Sequence, residues 1–99
     1  MAVADVSPQT LPPSVTLDAV KKLGAAMASR EQFLRQTIAG FERKYACSLA
    51  ELNRRLESRQ IAEHPAWEDA IEWGNAIDQL AQVQLNLSIV TWLIHLLTR

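Results

Sequence analysis

The chain is 99 residues long, 48% hydrophobic and 21% charged, which is the size and composition of one globular domain rather than of a disordered segment. Its formal net charge of −1 argues against a protein that binds nucleic acid through an overall basic surface. The single cysteine, Cys47, excludes an internal disulfide framework and a four-cysteine zinc site.

Residues 1–15 are predicted to form an extended N-terminal arm. Pro8, Pro12 and Pro13 lie in this segment, and proline removes a backbone donor and disfavours helix in the residue before it. The arm has no basic stretch followed by an apolar run, so we expect no signal peptide and a cytoplasmic protein. Residues 16–99 are then expected to form a single helical domain.

The first long helix is predicted from about Thr16 to Tyr45. Hydrophobic residues recur along it at every seventh position, which is the spacing of a helix–helix contact. These residues are Val20, Met27, Leu34 and Phe41. Gly24 and Gly40 each weaken a helix interior by about 1 kcal/mol relative to alanine, so we expect a close helix contact or a bend where they lie.

A short second helix is predicted from Ser48 to about Arg59. Ser48 and Glu51 have the spacing of a capping box, in which the serine caps the helix and the glutamate reaches back to it. The apolar face of this helix consists of Leu49, Leu52 and Leu56.

The second long helix is predicted from about Ala66 to Leu97. Pro65 suits the first helical position, and His64 is a candidate cap. A second seven-residue repeat runs along this helix through Trp73, Leu80, Leu87 and Ile94. Residues 83–89 also alternate between apolar and polar side chains, so a strand is the competing interpretation of that stretch.

The end of this helix is apolar on nearly every side. A helix of that kind must be buried on most of its surface, and a chain of this length has little material to cover it. We therefore expect a homodimer that forms a helical bundle. The predicted oligomer-interface residues are Leu80, Leu87, Val90, Trp92, Ile94 and Leu97. The apolar run itself, residues 83–97, is shorter than the roughly 20 residues of a membrane span and contains polar residues, so no membrane span is expected.

No residue pattern points clearly to catalysis, a metal or a cofactor. His64, Glu68 and Glu72 are four residues apart and have ligand chemistry, but the start of a helix favours carboxylates for its dipole alone. Cys47 precedes a helix cap, and only His64 and His95 are available as a base. We expect a protein that is not an enzyme and holds no cofactor.

The charged residues are distributed unevenly. Residues 61–80 contain five acidic side chains and no basic one, so this segment is a candidate docking surface for a small basic partner protein. The predicted partner-binding residues are Glu68, Asp69, Glu72 and Trp73. Trp67 and Trp73 are six residues apart and cannot share a helix face, so one is expected in the core and the other against a connecting segment or a partner.

A basic face is the second charged feature. It is formed by Arg54, Arg55 and Arg59 on the short helix. A DNA-binding regulator that uses this face is the least favoured function, because the helix that follows is acidic where a recognition helix meets phosphates.

The segment 41–52 resembles a motif of small prokaryotic antitoxin-like proteins that are encoded beside toxins of the TumE type. The shared pattern is phenylalanine-glutamate at 41–42, lysine-tyrosine at 44–45, and a serine with a glutamate-bearing short helix at 48–52. Acidic residues and a tryptophan follow in that family, and Glu68, Asp69, Glu72 and Trp73 match them here. Ala46 stands where the family tends to have glycine. The resemblance covers about residues 33–80 and implies a non-enzymatic protein that masks a small toxin.

The sequence therefore predicts an all-α fold with two long antiparallel helices and a short helix between them. The predicted function is protein binding, most specifically antitoxin-like masking of a co-encoded partner. The alternative is a structural subunit of a homo-oligomeric assembly.

Overall fold

The computed structural model describes residues 16–98. This part of the chain forms three helices: α1 (Leu17–Tyr45), α2 (Leu49–Glu57) and α3 (Glu63–Leu97). It contains no strand, so the all-α prediction is confirmed and the strand interpretation of residues 83–89 is wrong. The predicted N-terminal arm lies outside the described residues.

Helix α1 begins and ends close to its predicted bounds. The Thr16 side chain caps it by accepting a hydrogen bond from the Ala19 amide at 3.1 Å. The helix ends because Ala46 adopts the left-handed conformation, with φ 54° and ψ 35°. In that conformation the Ala46 amide donates to the Glu42 carbonyl at 2.8 Å and satisfies one of the last free carbonyls.

Helix α2 has half of the predicted capping box. The Ser48 hydroxyl accepts a hydrogen bond from the Glu51 amide at 3.2 Å, as expected. The Glu51 carboxylate does not reach back to Ser48, because it accepts from Arg54 and lies near Arg55. A Schellman motif ends the helix: Arg59 is in the left-handed region at φ 58°, and the Gln60 amide donates to the Arg55 carbonyl at 2.8 Å.

Helix α3 begins close to its predicted start but without the predicted cap. His64 has φ −106° and ψ 126°, which is extended backbone, so the continuous helix starts at Pro65. His64 does not cap the helix, since no side-chain hydrogen bond caps this end. Its Nδ1 atom lies 3.5 Å from a carboxylate oxygen of Glu68 instead.

Helices α1 and α3 pack antiparallel along their length. Lys44 near the end of α1 contacts Asp69 near the start of α3, and Gly24 lies against Val90 at the other end. The core is thickest where α2 covers this pair, and there Leu52 and Trp73 are almost fully buried. The Phe41 ring stacks on Trp73 at 5.7 Å between centroids.

Candidate functional site

The predicted oligomer-interface residues divide between two faces of α3. Val90 is buried against Gly24 of α1, so it contributes to packing within the chain. Leu80, Leu87 and Ile94 are half-buried and follow buried Trp73 at seven-residue steps, which places them on the side that faces α1. Leu97 is half-buried at the last residue of the helix. Trp92 differs from the other five because it is exposed, at 43%.

The predicted partner-binding residues divide in a similar way. Trp73 is 2% exposed and belongs to the core, so the structure does not present it to a partner. Asp69 has a side chain that is 16% exposed and is occupied by two contacts from α1. Glu68 and Glu72 are exposed and remain available.

The contacts of Asp69 join α1 to α3. The Lys44 ammonium donates to its Oδ2 atom at 2.6 Å, and the Tyr45 hydroxyl donates to the same atom at 2.5 Å. The hydrogen bond from Lys44, and after it that from Tyr45, holds the pKa of the Asp69 carboxyl below its usual value. Burial and then the bond to Asp69 raise the pKa of Tyr45, and the same carboxylate raises the pKa of Lys44. The sequence pattern gave no sign that Asp69 has this internal role.

The face of α3 that points away from α1 is mostly exposed and carries large apolar side chains. Its residues follow one another in steps of four and three, the spacing of a helix–helix seam. We call this set the outer seam: Trp67, Ile71, Gly74, Asp78, Ala81, Leu85, Ser88 and Trp92. Gly74 is half-buried and the other seven residues are exposed, with Trp67 and Leu85 each at 57%.

The flanks of the outer seam extend this apolar surface. Ile77 and Ile89 lie beside it and are 41% and 49% exposed. Large exposed apolar side chains are ordinary when scattered, but aligned along one helix they mark an interaction surface. The sequence predicts that the end of α3 is apolar on nearly every side, but apart from Trp92 the predicted contact residues do not belong to this exposed surface.

Helix α3 also has the length and composition of a membrane span. Of the described helices it is the one that is long and apolar enough, and 11% of its most apolar stretch is buried. The expectation that no span is present rested on residues 83–97 alone, whereas the helix as a whole has 35 residues. By length and composition alone this is weak evidence for a span, because core helices of soluble proteins pass the same test.

The acidic side of the candidate site lies between the outer seam and α1. Glu72 lines a groove between α1 and α3, together with Arg30 and Phe33. The Arg30 guanidinium lies 5.3 Å from the centre of the Phe33 ring and donates to Gln79 at 2.6 Å. Glu68 precedes Glu72 by one helical turn and is exposed on the same side. We call Glu68 and Glu72 the acidic flank.

The structure also locates the other residues that were considered for metal binding, catalysis or DNA binding. Across residues 16–98 no three His, Cys, Asp or Glu side chains come together in a way that could hold a metal ion. Cys47 is half-buried and packs against the core around Leu52. The basic face is partly neutralised, because Glu51 contacts both Arg54 and Arg55.

Comparison of the chain with protein-family models, with curated proteins and with solved structures finds no match.

Proposed function

We propose that this chain is a non-enzymatic protein-binding module that associates with other proteins through the outer side of α3. The observation that carries this proposal is the outer seam, a row of mostly exposed residues with helix-contact spacing and a tryptophan at each end. Tryptophan is enriched among the residues that dominate binding energy at protein interfaces. A helix that already buries one face against α1 gains nothing from a second apolar face unless another surface covers it.

In its more specific form, the proposed function is antitoxin-like masking of a small basic protein encoded beside this one. The resemblance of residues 33–80 to antitoxin-like proteins motivates this form. The acidic flank supports it, because Glu68 and Glu72 are exposed beside the apolar seam and attract a partner that carries Lys or Arg around an apolar patch. Asp69 is excluded from this role by its bonds to Lys44 and Tyr45.

The test is binding to the protein encoded by the adjacent gene, after co-expression with this chain. We expect a complex of fixed stoichiometry by light scattering, and relief of any growth arrest that the neighbouring protein causes on its own. The double variant Glu68→Lys/Glu72→Lys should weaken binding at least roughly tenfold, because two attractive charges become repulsive. The matched control is Asp18→Lys/Glu57→Lys, which changes the same charge at exposed positions on α1 and α2 and should bind as the wild type does.

Two outcomes would contradict the proposal in different ways. If the adjacent protein binds equally well to both double variants, the acidic flank is not the contact. If it does not bind the wild type at all, the masking function fails, whatever the state of association of this chain with itself.

A further inference from the structure

We infer that the outer seam binds a second copy of this chain, with the two α3 helices antiparallel. The inference rests on the proposed function in one respect: it takes the outer seam to be a protein-binding surface, and it names what covers that surface. The acidic flank stays on the side of such a dimer, so it remains open to a different partner.

The order of large and small residues along the outer seam favours an antiparallel dimer. When two copies run antiparallel with the two-fold axis between Asp78 and Ala81, every seam position meets another seam position. The paired positions are Trp67 with Trp92, Ile71 with Ser88, Gly74 with Leu85, and Asp78 with Ala81. In the pairs Ile71 with Ser88 and Asp78 with Ala81 a smaller side chain meets a larger one, which is how facing helices fill space. Gly74 is partly covered by Leu49 of α2, whose side chain would lie 3.7 Å from a Cβ atom on Gly74, so Leu85 of the second copy packs over the exposed part of Gly74 and beside Leu49. Trp67 and Trp92 meet at the two ends of the contact, where the large rings can extend beyond the last pair of facing residues.

The parallel arrangement lacks this complementarity. Each residue would then face its own copy, so Gly74 would meet Gly74 and leave a gap, while Leu85 would meet Leu85. Thin and thick layers would alternate along the contact. Such a contact loses dispersion energy at the thin layers and strains the thick ones.

The distribution of charge along α3 also favours the antiparallel orientation. The acidic residues of α3 lie in its first half, and residues 79–98 contain no Asp, Glu, Lys or Arg. In a parallel dimer the acidic flanks would lie side by side, which is unfavourable. Asp78 lies near the two-fold axis of the antiparallel dimer as well, so its charge does not decide between the two orientations. In the antiparallel dimer the acidic half of each helix lies beside the uncharged half of the other. The opposed helix dipoles also favour this orientation.

Two-fold symmetry and the length of the outer seam are both consistent with a closed dimer. A two-fold axis makes one surface sufficient for both chains, so the contact closes at two copies. The seam from Trp67 to Trp92 is about 38 Å long at the rise of an α-helix. The same seam could lie in a membrane instead, but residues 79–98 include Gln, Asn, Ser, Thr and His side chains, which water or a second helix accommodates better than lipid does.

The first part of the experiment measures mass by light scattering. The wild-type chain should have twice the 11.1 kDa mass of one chain. Leu85→Glu places a charge within the seam, opposite Gly74 of the second copy, and should weaken the dimer at least roughly 100-fold, with its helical circular dichroism retained. The matched control is Leu23→Glu, because Leu23 is similarly exposed at 49% but lies on α1.

The second part measures orientation by disulfide cross-linking in a Cys47→Ala background. Ile71→Cys and Ser88→Cys chains should cross-link when they are mixed, and neither should cross-link alone. Cross-linking of either single variant with itself would show a parallel dimer and overturn the inference. This readout does not depend on how well the Leu85→Glu variant folds.

The remaining outcomes separate the two proposals. A wild-type chain that stays monomeric and binds the adjacent protein overturns the second-copy inference and leaves the proposed function standing. A monomer that floats with vesicles of phosphatidylcholine and phosphatidylglycerol overturns the inference in favour of a lipid surface. A dimer that forms the predicted cross-links but does not bind the adjacent protein supports the inference and contradicts the masking function.

Discussion

Ala46 adopts a backbone conformation that glycine adopts at no steric cost. Its left-handed φ of 54° ends α1, and the conformation costs a residue with a Cβ atom about 1–2 kcal/mol. Ala46→Gly should therefore raise the free energy of unfolding by about 0.5–1 kcal/mol, after the greater freedom of glycine in the unfolded chain is subtracted. Urea denaturation at one fixed protein concentration measures the change.

The control for this substitution is the same change within a helix. Ala28 is exposed in the middle of α1, so Ala28→Gly should lower the free energy of unfolding by about 1 kcal/mol. Equal effects of the two substitutions, in sign and size, would mean that Ala46 is not strained.

Asp69 makes the stability of the chain depend on pH. Because its folded pKa is lowered, its contribution is complete above its ordinary value of 3.8 and is lost as the pH falls through the folded value. The raised pKa of Lys44 gives the opposite dependence, since its contribution is complete below 10.5 and is lost as the pH rises through its folded pKa. The raised pKa of Tyr45 acts in the same direction above its ordinary value of 10.0, so the contribution of this cluster to stability should be level between pH 3.8 and pH 10.0.

The variant Asp69→Asn tests this role. It should lower the free energy of unfolding at neutral pH by about 1–3 kcal/mol, the worth of hydrogen bonds to a charged group, and flatten the loss of stability in acid. Asp18→Asn is the control, because the Asp18–Lys22 pair is almost fully exposed and contributes at most about 0.5 kcal/mol. An acid transition of unchanged steepness in Asp69→Asn would assign the pH dependence to other carboxylates.

Trp67 and Trp73 show the limit of prediction at the residue scale. Their spacing predicts that one is in the core and the other at a surface. Which of them α1 covers depends on where the Phe41 and Tyr45 rings lie, and both stack on Trp73. That choice is made by tertiary packing, so the sequence alone led to the assignment of Trp73 to a partner.

Leu52 is the buried side chain of α2, and half-buried Leu49 and Leu56 pack against the same core. Leu52 is fully buried among Ala66, Ala70 and Trp73. Leu52→Ala should lower the free energy of unfolding by about 2–5 kcal/mol, because it leaves a cavity that this thin core cannot refill. Leu23→Ala, at an exposed site of α1, should cost much less, about 0.5 kcal/mol. Comparable losses in the two variants would mean that α2 does not dock through Leu52.

The two glycines of α1 have different surroundings. A Cβ atom on Gly24 would lie 3.2 Å from the Val90 side chain, whereas one on Gly40 would meet nothing closer than 4.0 Å. Gly40→Ala should therefore raise the free energy of unfolding by about 1 kcal/mol through helix propensity. Gly24→Ala should gain less, since the same propensity is offset by crowding against α3. An equal gain at both sites in urea denaturation would rule out the close approach at Gly24.

The positions of the helices could be predicted because caps and hydrophobic repeats depend on residues that are close together in the sequence. Thr16 and Ser48 cap α1 and α2 as local chemistry requires, and the repeats of both long helices lie along their contact. A seven-residue repeat does not state whether its partner helix is in the same chain or in another. Residues such as Leu80 and Leu87 were therefore assigned to a dimer, although α1 covers that side of α3.

At the scale of the whole molecule, α3 is apolar on two faces and α1 covers one of them. The outer seam fell outside the predicted interface except for Trp92, because the inner repeat has the more regular large side chains. Once α1 accounts for the inner repeat, the remaining exposed row from Trp67 to Trp92 becomes the surface that needs a partner. The location of the candidate site therefore follows from the fold and could not be read from residue spacing alone.

This arrangement predicts how heat stability depends on protein concentration. If two chains associate through the outer seam, folding is linked to association, and Tm should rise as the concentration of the wild-type chain increases. Leu85→Glu should remove that dependence, because the charge blocks association while the contacts between α1 and α3 remain. Leu23→Glu should keep it, since Leu23 lies on α1 and outside the seam. A wild-type Tm that is constant over a wide range of concentration would show that the outer side of α3 stays uncovered during folding, and would leave its apolar side chains to a partner of a different kind.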